Sequence, residues 1–402
     1  MNGMRQRHVT EAPRQGTDLV DRVRRRLAES GAGSDHKAVA DAVRKETGGV
    51  AGHLDILDAL KLVRHEFVGA GPLESLLGDP KVSDVLVTAP DEVWVDGANG
   101  LRRTEIRFPD EEAVRRLAQR LALAAGRRLD EAQPFVDGWL PGKGPHGHVR
   151  LHAVLPPIAA EGTCLSLRVL RPAVHDLHAL RRLGTFDEKG LAVLVAIVRA
   201  RLAFLVTGAT GSGKSTLLAA LLGAVSPTER IVCVEDAGEL QPRHPQFVRL
   251  LARPPNVEGA GEITLRELVR EALRMRPDRL VVGEVRGAEV CELLAALNTG
   301  HEGGAGTLHA NSPGEVPARL EALAALGGLS RAALHSQLAA AVQLVLHMRR
   351  RANGTRALAE VGVVHREGDT VRVRSAWREG DWTGESALLT RLLAGKGRGK
   401  PC

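Results

Sequence analysis

The sequence predicts an α/β protein in which a domain built on a mainly parallel sheet follows a smaller sheet domain. Two observations lead to this fold class. Between residues 185 and 350, short apolar runs alternate with longer helical patterns, an order typical of parallel strands joined by right-handed helical crossovers. Between residues 71 and 172, short strands of alternating apolar and polar residues flank one helical stretch. A chain of 402 residues is long enough for two or three such domains.

The N-terminal part of the chain divides into three predicted regions. Residues 1–16 are polar and are expected to be disordered, and helical periodicity occupies residues 17–70 until Gly71-Pro72 interrupts it. Residues 71–172 are then expected to form a self-contained mixed sheet with helices. Its predicted elements are strands at 85–87, 93–95 and 101–106, a helix at 110–125, and strands at 149–155 and 165–170.

The second domain is expected to begin after a linker at residues 173–184 and to extend to residue 393. Thr185 and Glu188 have the spacing of a helix start in which the two residues cap each other's backbone N–H groups. The remaining predicted features are a late hairpin with strands at 361–365 and 371–377 and a disordered basic tail at 394–402.

Composition limits the classes of function. The net charge of +7 permits nucleic acid, an acidic partner or a membrane surface, but aromatic residues make up only 2% and tyrosine is absent, which disfavours a base-stacking surface. The apolar run at 191–198 is too short to span a membrane, and the polar N-terminus lacks a secretory signal. We therefore expect a cytoplasmic protein without a membrane span. The scattered cysteines Cys164, Cys233, Cys291 and Cys402 are expected to be buried structural thiols.

Residues 208–215 read Gly-Ala-Thr-Gly-Ser-Gly-Lys-Ser, a glycine-rich loop of the kind that wraps the phosphates of a nucleoside triphosphate. An apolar run at 202–207 precedes it as a buried strand, and helix formers at 216–222 follow it. Lys214 is expected to reach the β- and γ-phosphates, and the hydroxyl of Ser215 is expected to bind Mg²⁺. The predicted nucleotide-binding residues are Gly208, Ala209, Thr210, Gly211, Ser212, Gly213, Lys214, Ser215 and Thr216.

Two further strand ends carry the carboxylates that such a site needs for Mg²⁺ and for the attacking water. Glu284 follows the strand at 279–283, with glycine where aspartate is usual, and is the candidate that polarises water. Another strand ends in Glu235-Asp236, with Glu239 close behind. Because ligands gather at the carboxyl ends of strands in open α/β sheets, these residues are candidates for the metal and the chemistry. A solvated strand end is the alternative.

A third stretch, residues 300–312, is rich in glycine and has strand character ending in His309. A histidine at a strand end beside a phosphate loop is a candidate for a hydrogen bond to the γ-phosphate. His301 is a weaker candidate for a role in the site. For both residues, the alternative is a purely structural histidine.

Together these motifs resemble the secretion-type traffic ATPases that power type II and type IV secretion and pilus assembly. The motifs are the loop at 208–215, the acidic box at 234–240, the strand at 282–286 and the histidine box at 306–311. Glycine before the glutamate is usual in that family. Motifs in the N-terminal half resemble its tight-adherence (Tad, Flp-type) pilus branch. They are Gly71-Pro72-Leu73, the segment at 82–87, the segment at 126–130 and Leu165-Ser166-Leu167-Arg168.

Three features depart from the family pattern. The four-cysteine zinc motif of many type II secretion ATPases is missing, which argues against that branch. Ala237-Gly238 stands where a Thr-Ala pair is more common, and residues 140–148 replace a shorter turn. Contacts made by that turn in the family are therefore not carried over to this chain.

The resemblance implies a RecA-like P-loop domain preceded by a smaller PAS-like α/β domain, assembled as a homohexamer that hydrolyses ATP with Mg²⁺. Ser215 would hold the metal, with water-mediated help from Glu284 and Glu235. Arginines of the N-terminal domain then approach the phosphates, and by matched position Arg150 and Arg168 are the candidates. Strand-edge surface arginines are the alternative.

The expected function is a motor that powers pilus assembly or protein secretion through an inner-membrane platform protein, on the cytoplasmic face of the membrane. The alternative is a conjugation-type DNA-transfer ATPase, which the positive charge permits and the scarcity of aromatic residues disfavours. A nucleotide switch without turnover is disfavoured because Glu284 is present. Thr264 and Glu267 have the spacing of a capping box that opens a helix. Arg266, Arg270 and Arg274 recur on one face of that helix, either as a solvated face or as a subunit interface.

Overall fold

The computed structural model describes Lys45 and residues 69–97, 100–140, 148–170, 175–256 and 259–396. By its contacts the chain divides into two compact units, residues 1–170 and residues 171–402. The disorder predicted for residues 1–16 lies outside the described residues, as does almost all of the helical region predicted for residues 17–70. Within the described part of the chain, no helix is both long and apolar enough to cross a bilayer.

The first unit contains a six-stranded sheet with strand order β3-β2-β1-β6-β5-β4. Its elements, after a 3-10 turn at Gly71–Leu73, are α1 (Glu74–Gly78), β1 (Val82–Ala89), β2 (Glu92–Gly97), β3 (Arg102–Arg103), α2 (Glu111–Ala124), β4 (Phe135–Leu140), β5 (His148–Val154) and β6 (Cys164–Leu170). The paired strands are antiparallel throughout, so the mixed sheet that we predicted is wrong for this unit. Val114, Leu117 and Leu121 of α2 are buried in the core of this unit.

Strand β4 was not predicted from the sequence. Its inward-facing residues are Val136 and Gly138, so the expected alternation of apolar residues contains a glycine. A Cβ atom on Gly138 would lie 3.0 Å from the Cβ of Ala125, which caps α2. The close approach of this helix end explains the glycine, and the glycine removes the pattern that identifies a strand.

The second unit contains a nine-stranded sheet with strand order β15-β14-β13-β12-β7-β11-β10-β8-β9. Its strands are β7 (Phe204–Thr207), β8 (Ile231–Glu235), β9 (Phe247–Leu251), β10 (Arg279–Val282), β11 (Ala305–Leu308), β12 (Leu344–Arg350), β13 (Arg356–Glu367), β14 (Thr370–Arg378) and β15 (Asp381–Trp382). The strands from β9 to β12 in this order are parallel, and β13, β14 and β15 add to the edge as antiparallel strands. The predicted mainly parallel sheet and the predicted late hairpin are confirmed.

Helices cover both faces of this second sheet. They are α3 (Leu177–Arg182), α4 (Glu188–Arg199), α5 (Lys214–Gly223), α6 (Leu265–Leu273), α7 (Glu289–Asn298), α8 (Val316–Leu326), α9 (Arg331–Ala341) and α10 (Ser386–Lys396). Residues of α3, α4, α5 and α10 belong to one apolar layer, and residues of α6, α7, α8 and α9 belong to the other. Strands β7, β8, β10 and β11 are therefore buried along their whole length, which explains why most of their residues are apolar.

The borders of the second unit differ from the prediction. The expected linker contains α3, whose Leu177 and Leu180 are buried in the core, because a helix of six residues is too short to show periodicity. Helix α4 is capped by Asp187, whose side chain accepts the N–H of Gly190 at 2.8 Å, and not by the predicted Thr185. Helix α10 runs to Lys396, so the predicted boundary at residue 393 is too early.

The described cysteines are only partly as predicted. Cys233 is fully buried in β8, and burial raises the pKa of its thiol. Cys164 and Cys291 are half-buried, and their thiols donate to the carbonyls of Gly162 and Ala324. Cys402 lies outside the described residues.

We expect Leu194→Ala to destabilise the second unit. Leu194 of α4 is fully buried in the apolar layer shared with α5, so truncation leaves a cavity and lowers the free energy of unfolding by about 2–5 kcal/mol. Chemical denaturation measures the change. Leu326→Ala at the exposed end of α8 is the control and changes the free energy by no more than about 0.5 kcal/mol. Equal effects of both variants would contradict the assigned core.

Candidate nucleotide-binding site

The glycine loop joins β7 to α5, as the sequence predicts. Gly208, Gly211 and Gly213 have φ angles of 142°, 72° and 97°, which side-chain-bearing residues rarely adopt. A Cβ atom on Gly208 would lie 2.3 Å from the carbonyl oxygen of Met348 in the neighbouring strand β12. Arg356 of β13 donates from Nε to the carbonyl of Gly211 at 3.0 Å. The loop is thus held against two strands that follow it by more than a hundred residues.

Lys214 lies in the first turn of α5 and is buried, with 8% of its surface exposed. Its Nζ donates to the carbonyl oxygens of Gly208 and Ala209, both at 3.0 Å. Burial lowers the pKa of Lys214, and the nearby carboxylates of Glu284 and Glu239 oppose that shift. The lysine therefore folds back over its own loop, where an entering anion would compete with the loop carbonyls for it.

Glu284 and His309 follow the adjacent parallel strands β10 and β11. The Nε2 of His309 lies 2.7 Å from Oε1 of Glu284, and its Nδ1 lies 3.4 Å from Nζ of Lys214. With Nε2 as the donor to the carboxylate, Nδ1 is left to accept from the lysine. The structure thus places the predicted histidine between the predicted lysine and the predicted glutamate.

Thr307 of β11 fastens the backbone around Glu284. Its hydroxyl donates to the carbonyl of Gly283 at 2.6 Å, and its own carbonyl accepts the N–H of Val285 at 2.8 Å. Because Thr307 is two residues from His309 on the same chain segment, these bonds set the position of Glu284 relative to the histidine. No role was predicted for Thr307.

Glu235 ends strand β8 and is almost fully buried. Its Oε1 accepts the backbone N–H groups of Glu239 at 3.2 Å and Leu240 at 3.0 Å. Its Oε2 lies 3.4 Å from Nε of Arg249 but has no hydrogen-bond partner among the described residues. Burial raises the pKa of Glu235 to about 7, although the two backbone donors and Arg249 lower it.

The other two acidic candidates have different neighbours. Glu239 is exposed, and its Oε2 accepts from the hydroxyl of Ser215 at 3.2 Å. Asp236 lies 3.1 Å from Nε of Arg286, which also contacts Oε2 of Glu284. The structure therefore separates the cluster, because Glu239 contacts the loop serine and Asp236 is joined to Glu284 through an arginine.

The close approach of Glu235 explains why position 283 is a glycine in this chain. A Cβ atom there would lie 2.5 Å from Cγ of Glu235 on the neighbouring strand. An aspartate at this position would displace the buried glutamate, so the two features depend on each other.

The oxygen atoms near Ser215 fit a bound Mg²⁺. The ion prefers oxygen ligands and is usually held by one or two carboxylates together with phosphate oxygens. Ser215 and Glu239 supply a hydroxyl and a carboxylate already in contact. Glu235 accepts the backbone N–H of Glu239, and its second oxygen is buried and accepts no hydrogen bond from any described residue. Glu284, predicted to help at the metal, contacts His309 and Arg286. Among the described residues, no three His, Cys, Asp or Glu side chains form a metal site by themselves.

A cavity of about 280 Å³ opens beside the loop. Its lining residues are Gly208, Ala209, His309, Ala310, Asn311, Glu315 and Arg319. Ala310 and Asn311 belong to the histidine box at 306–311, whereas Glu315 and Arg319 lie outside every predicted motif. His301, the weaker candidate, lies elsewhere and its ring contacts the carbonyl of Ala296 in α7 at 3.1 Å, which is a structural role.

The two N-terminal arginines face each other across β5 and β6 of the first unit. Arg150 makes two hydrogen bonds to Asp137, at 2.9 and 2.7 Å, and its guanidinium lies 5.8 Å from the ring centre of Trp139. Arg168 donates to Asp84 at 2.7 Å. Both are ion-paired and partly exposed in this unit.

The arginines on α6 are engaged with neighbouring acids. Arg266 and Arg270 contact the same oxygen of Glu292 in α7, at 2.6 and 2.8 Å. Arg274 contacts Glu271 of its own helix. The helix begins with the predicted capping box of Thr264 and Glu267. These ion pairs account for the first two arginines within the chain.

Sequence reasoning missed the cations that neutralise the acidic cluster. Arg286 and Arg249 contact Glu284, Asp236 and Glu235, and Arg356 holds the loop. For Arg286 a signal was present, since an arginine two residues after a strand-end glutamate returns to the same side of an extended chain. Arg249 and Arg356 come from distant strands, and only the sheet brings them to the site.

Comparison with known proteins shows that the chain belongs to the type II/IV secretion system protein family, which matches residues 66–376. A putative conjugal transfer protein of Mycobacterium tuberculosis (strain ATCC 25618 / H37Rv) is 65% identical over 344 residues, which cover 85% of this chain and 98% of the relative. The type IV secretion system protein PtlH of Bordetella pertussis is 33% identical over 264 residues, covering 60% of this chain and 76% of PtlH.

Among solved structures, the pilus retraction motor PilT with bound ADP resembles this chain with a TM-score of 0.52 at 22% identity, over 78% of this chain and 83% of PilT. At this identity the likeness concerns the fold alone. The predicted fold class and the predicted family are confirmed. The tight-adherence branch stays a prediction.

We expect the stability of the nucleotide-free protein to depend on Glu235 in a pH-dependent way. Because the folded-state pKa of about 7 lies above the ordinary 4.5, folding favours the protonated acid. This contribution is complete below pH 4.5 and is lost as the pH rises to 7, by about 3 kcal/mol in total. Urea denaturation of wild type and Glu235→Gln between pH 4.5 and 8 measures the difference. Parallel pH profiles would contradict the assignment.

Proposed function

We propose that this chain is an ATPase that hydrolyses ATP with Mg²⁺ and converts the energy into motion of a secretion or pilus machine. The observation that supports it most directly is the contact of His309 with both Lys214 and Glu284 at the end of a glycine loop. This arrangement joins a phosphate-binding cation, a carboxylate and a group able to sense the phosphate. Membership of the secretion family supports the same reading.

In this proposal each residue of the site has a separate role in binding or hydrolysis. The loop from Gly208 to Ser215 binds the phosphates, and Lys214 leaves its loop carbonyls for the β- and γ-phosphates. Glu284 accepts a proton from the attacking water, and His309 responds to the γ-phosphate once Lys214 has left its Nδ1. Ser215, Glu239 and Glu235 would hold Mg²⁺, which would neutralise charge on the phosphates.

The motor is proposed to be a homohexamer on the cytoplasmic face of the membrane, acting on a platform protein within it. The family and its type IV secretion relatives support this role for the chain. Light scattering of the purified protein, with and without a non-hydrolysable ATP analogue, tests the hexamer. A monomer under both conditions would contradict it.

A second candidate function is DNA transfer, because the 65% identical relative carries the description putative conjugal transfer protein. The two candidates differ in their response to nucleic acid. Stimulation of ATP hydrolysis by single- or double-stranded DNA would favour the second candidate. A rate of ATP hydrolysis that is the same with and without DNA would favour pilus assembly or protein secretion.

We expect Lys214→Ala to abolish ATP binding or turnover, because the cation for the phosphates is lost. Glu284→Gln keeps the shape but removes the charge, so ATP still binds and hydrolysis falls by at least ~100-fold. Fluorescent-nucleotide binding and phosphate release measure the two effects. Lys189→Ala, at an exposed position of α4, is the control and leaves both unchanged. Wild-type turnover in Lys214→Ala, or equal loss of binding and turnover in Glu284→Gln, would contradict these roles.

We also propose that Arg150 and Arg168 compensate charge that develops on the γ-phosphate during turnover. Arg150→Ala and Arg168→Ala in the full-length chain are expected to lower kcat by about 10-fold or more, with a smaller change in nucleotide affinity. Arg103→Ala in the same unit removes an arginine that contacts Asp91, and serves as the control. Unchanged kcat in both variants would leave the first unit without a catalytic role.

A further inference from the structure

The carboxylate of Glu284 is held on both of its oxygen atoms. Oε1 contacts Nε2 of His309 at 2.7 Å, and Oε2 contacts a terminal nitrogen of Arg286. The side chain of Glu284 is half-buried, with 28% exposed, and that of Arg286 is exposed. The orientation of Glu284 is therefore determined by two donors, His309 and Arg286. The proposed function assigns a role to His309 but none to Arg286.

The backbone at Arg286 is held by the side chain of Glu289. Its backbone N–H and that of Gly287 both donate to Oε1 of Glu289, at 2.7 and 2.8 Å. Glu289 lies in the first turn of α7 and is 5% exposed. A Cβ atom on Gly287 would lie 2.9 Å from the other oxygen of Glu289, so the chain turns tightly over this carboxylate. The position of the Arg286 backbone, from which its side chain extends, is thus fixed by the buried carboxylate of Glu289.

The guanidinium of Arg286 joins two strand ends. Its Nε lies 3.1 Å from Asp236, which follows β8, while its terminal nitrogen reaches Glu284, which follows the adjacent strand β10. Carboxylates on neighbouring strands repel each other unless a cation lies between them. A planar guanidinium with several donors can bond to two carboxylates at once, which a lysine ammonium does less well.

We infer that Arg286 is a positioning residue that sets the orientation of Glu284 by tying it to Asp236, with Glu289 as its anchor. This inference rests on the proposed ATPase function. Without Arg286, the carboxylate of Glu284 loses one of its two donors, keeps its contact with His309 and takes up other rotamers. Turnover falls because misplacing a catalytic group by about 1 Å costs up to ~100-fold. Nucleotide binding persists because Lys214 and the loop are untouched.

The test compares Arg286→Gln and Arg286→Lys with Arg372→Gln, which removes an arginine on β14 whose partner Glu367 keeps Arg374. Arg286→Gln is expected to lower kcat by about 10- to 100-fold. Its Kd for a fluorescent ATP analogue, measured with EDTA present, stays within about 2-fold of wild type because binding requires no reorientation of Glu284. Arg286→Lys is expected to give an intermediate kcat. The control leaves both quantities unchanged.

A double variant shows whether Arg286 acts through Glu284. Adding Arg286→Gln to Glu284→Gln is expected to cause no further loss of kcat, since the residue being positioned no longer functions. Additive losses, or equal loss of binding and turnover in Arg286→Gln, would overturn the positioning role while leaving the ATPase intact. A wild-type protein that hydrolyses no ATP would overturn the proposed function and this role together.

Amide hydrogen exchange of the nucleotide-free protein and turnover of the same variants together test the anchoring role of Glu289. Glu289→Ala is expected to speed amide hydrogen exchange in the peptide covering residues 284–290, because the N–H groups of Arg286 and Gly287 lose their acceptor. Arg286→Gln leaves that exchange unchanged, since Glu289 still accepts both bonds. Glu289→Ala is also expected to lower kcat as Arg286→Gln does. Fast exchange with an undiminished kcat would overturn the anchoring part of the inference.

Discussion

The parallel pairing of β11 with β7 on one side and β10 on the other is the constraint on which the site depends. In this register Leu308 lies opposite Thr207, and Gly306 lies opposite Val282. The segments that follow the three strands therefore leave the sheet side by side. Lys214, His309 and Glu284 meet because they come soon after these strand ends. A shift of β11 by one residue against β7 or β10 would move His309 away from Lys214 or from Glu284.

The register is itself a consequence of burial. The central strands are covered by helices on both faces, so each backbone N–H and C=O must find its partner within the sheet. The small residues Gly283 and Gly306 allow close approach where side chains would collide. A Cβ atom on Gly306 would lie 3.2 Å from the carbonyl of Val282, and one on Gly283 would lie 2.5 Å from Glu235.

Charge is balanced locally around the site. Four carboxylates lie at or just after the ends of β8 and β10, and Lys214, Arg249 and Arg286 lie close to them. Each carboxylate that contacts a cation is restricted in orientation, and the cation offsets its negative charge. Glu235 shows the opposite case, because burial outweighs its donors and its pKa rises to about 7. Glu235 and Glu284 thus differ in environment, because Glu235 is desolvated whereas Glu284 contacts Arg286 and His309 directly.

Local sequence patterns alone predicted much of the secondary structure and part of the site. The glycine loop, the strand–helix alternation and the capping box at Thr264 are signals that neighbouring residues carry by themselves, and the structure contains all three. Glu284 and His309 were identifiable because strand ends in a parallel sheet share one edge. Where the local signal was short or interrupted, as in α3 and in β4 with its Gly138, the pattern did not predict the element.

The tertiary structure alone decided how these residues are joined. It places Glu239 at Ser215, links Asp236 to Glu284 through Arg286, and brings Arg249 and Arg356 from distant strands to the acidic cluster and the loop. These choices depend on strand order and on the close approach of side chains from separate segments. Sequence spacing carries no information about either, because both arise only when the sheet is assembled and its faces are buried.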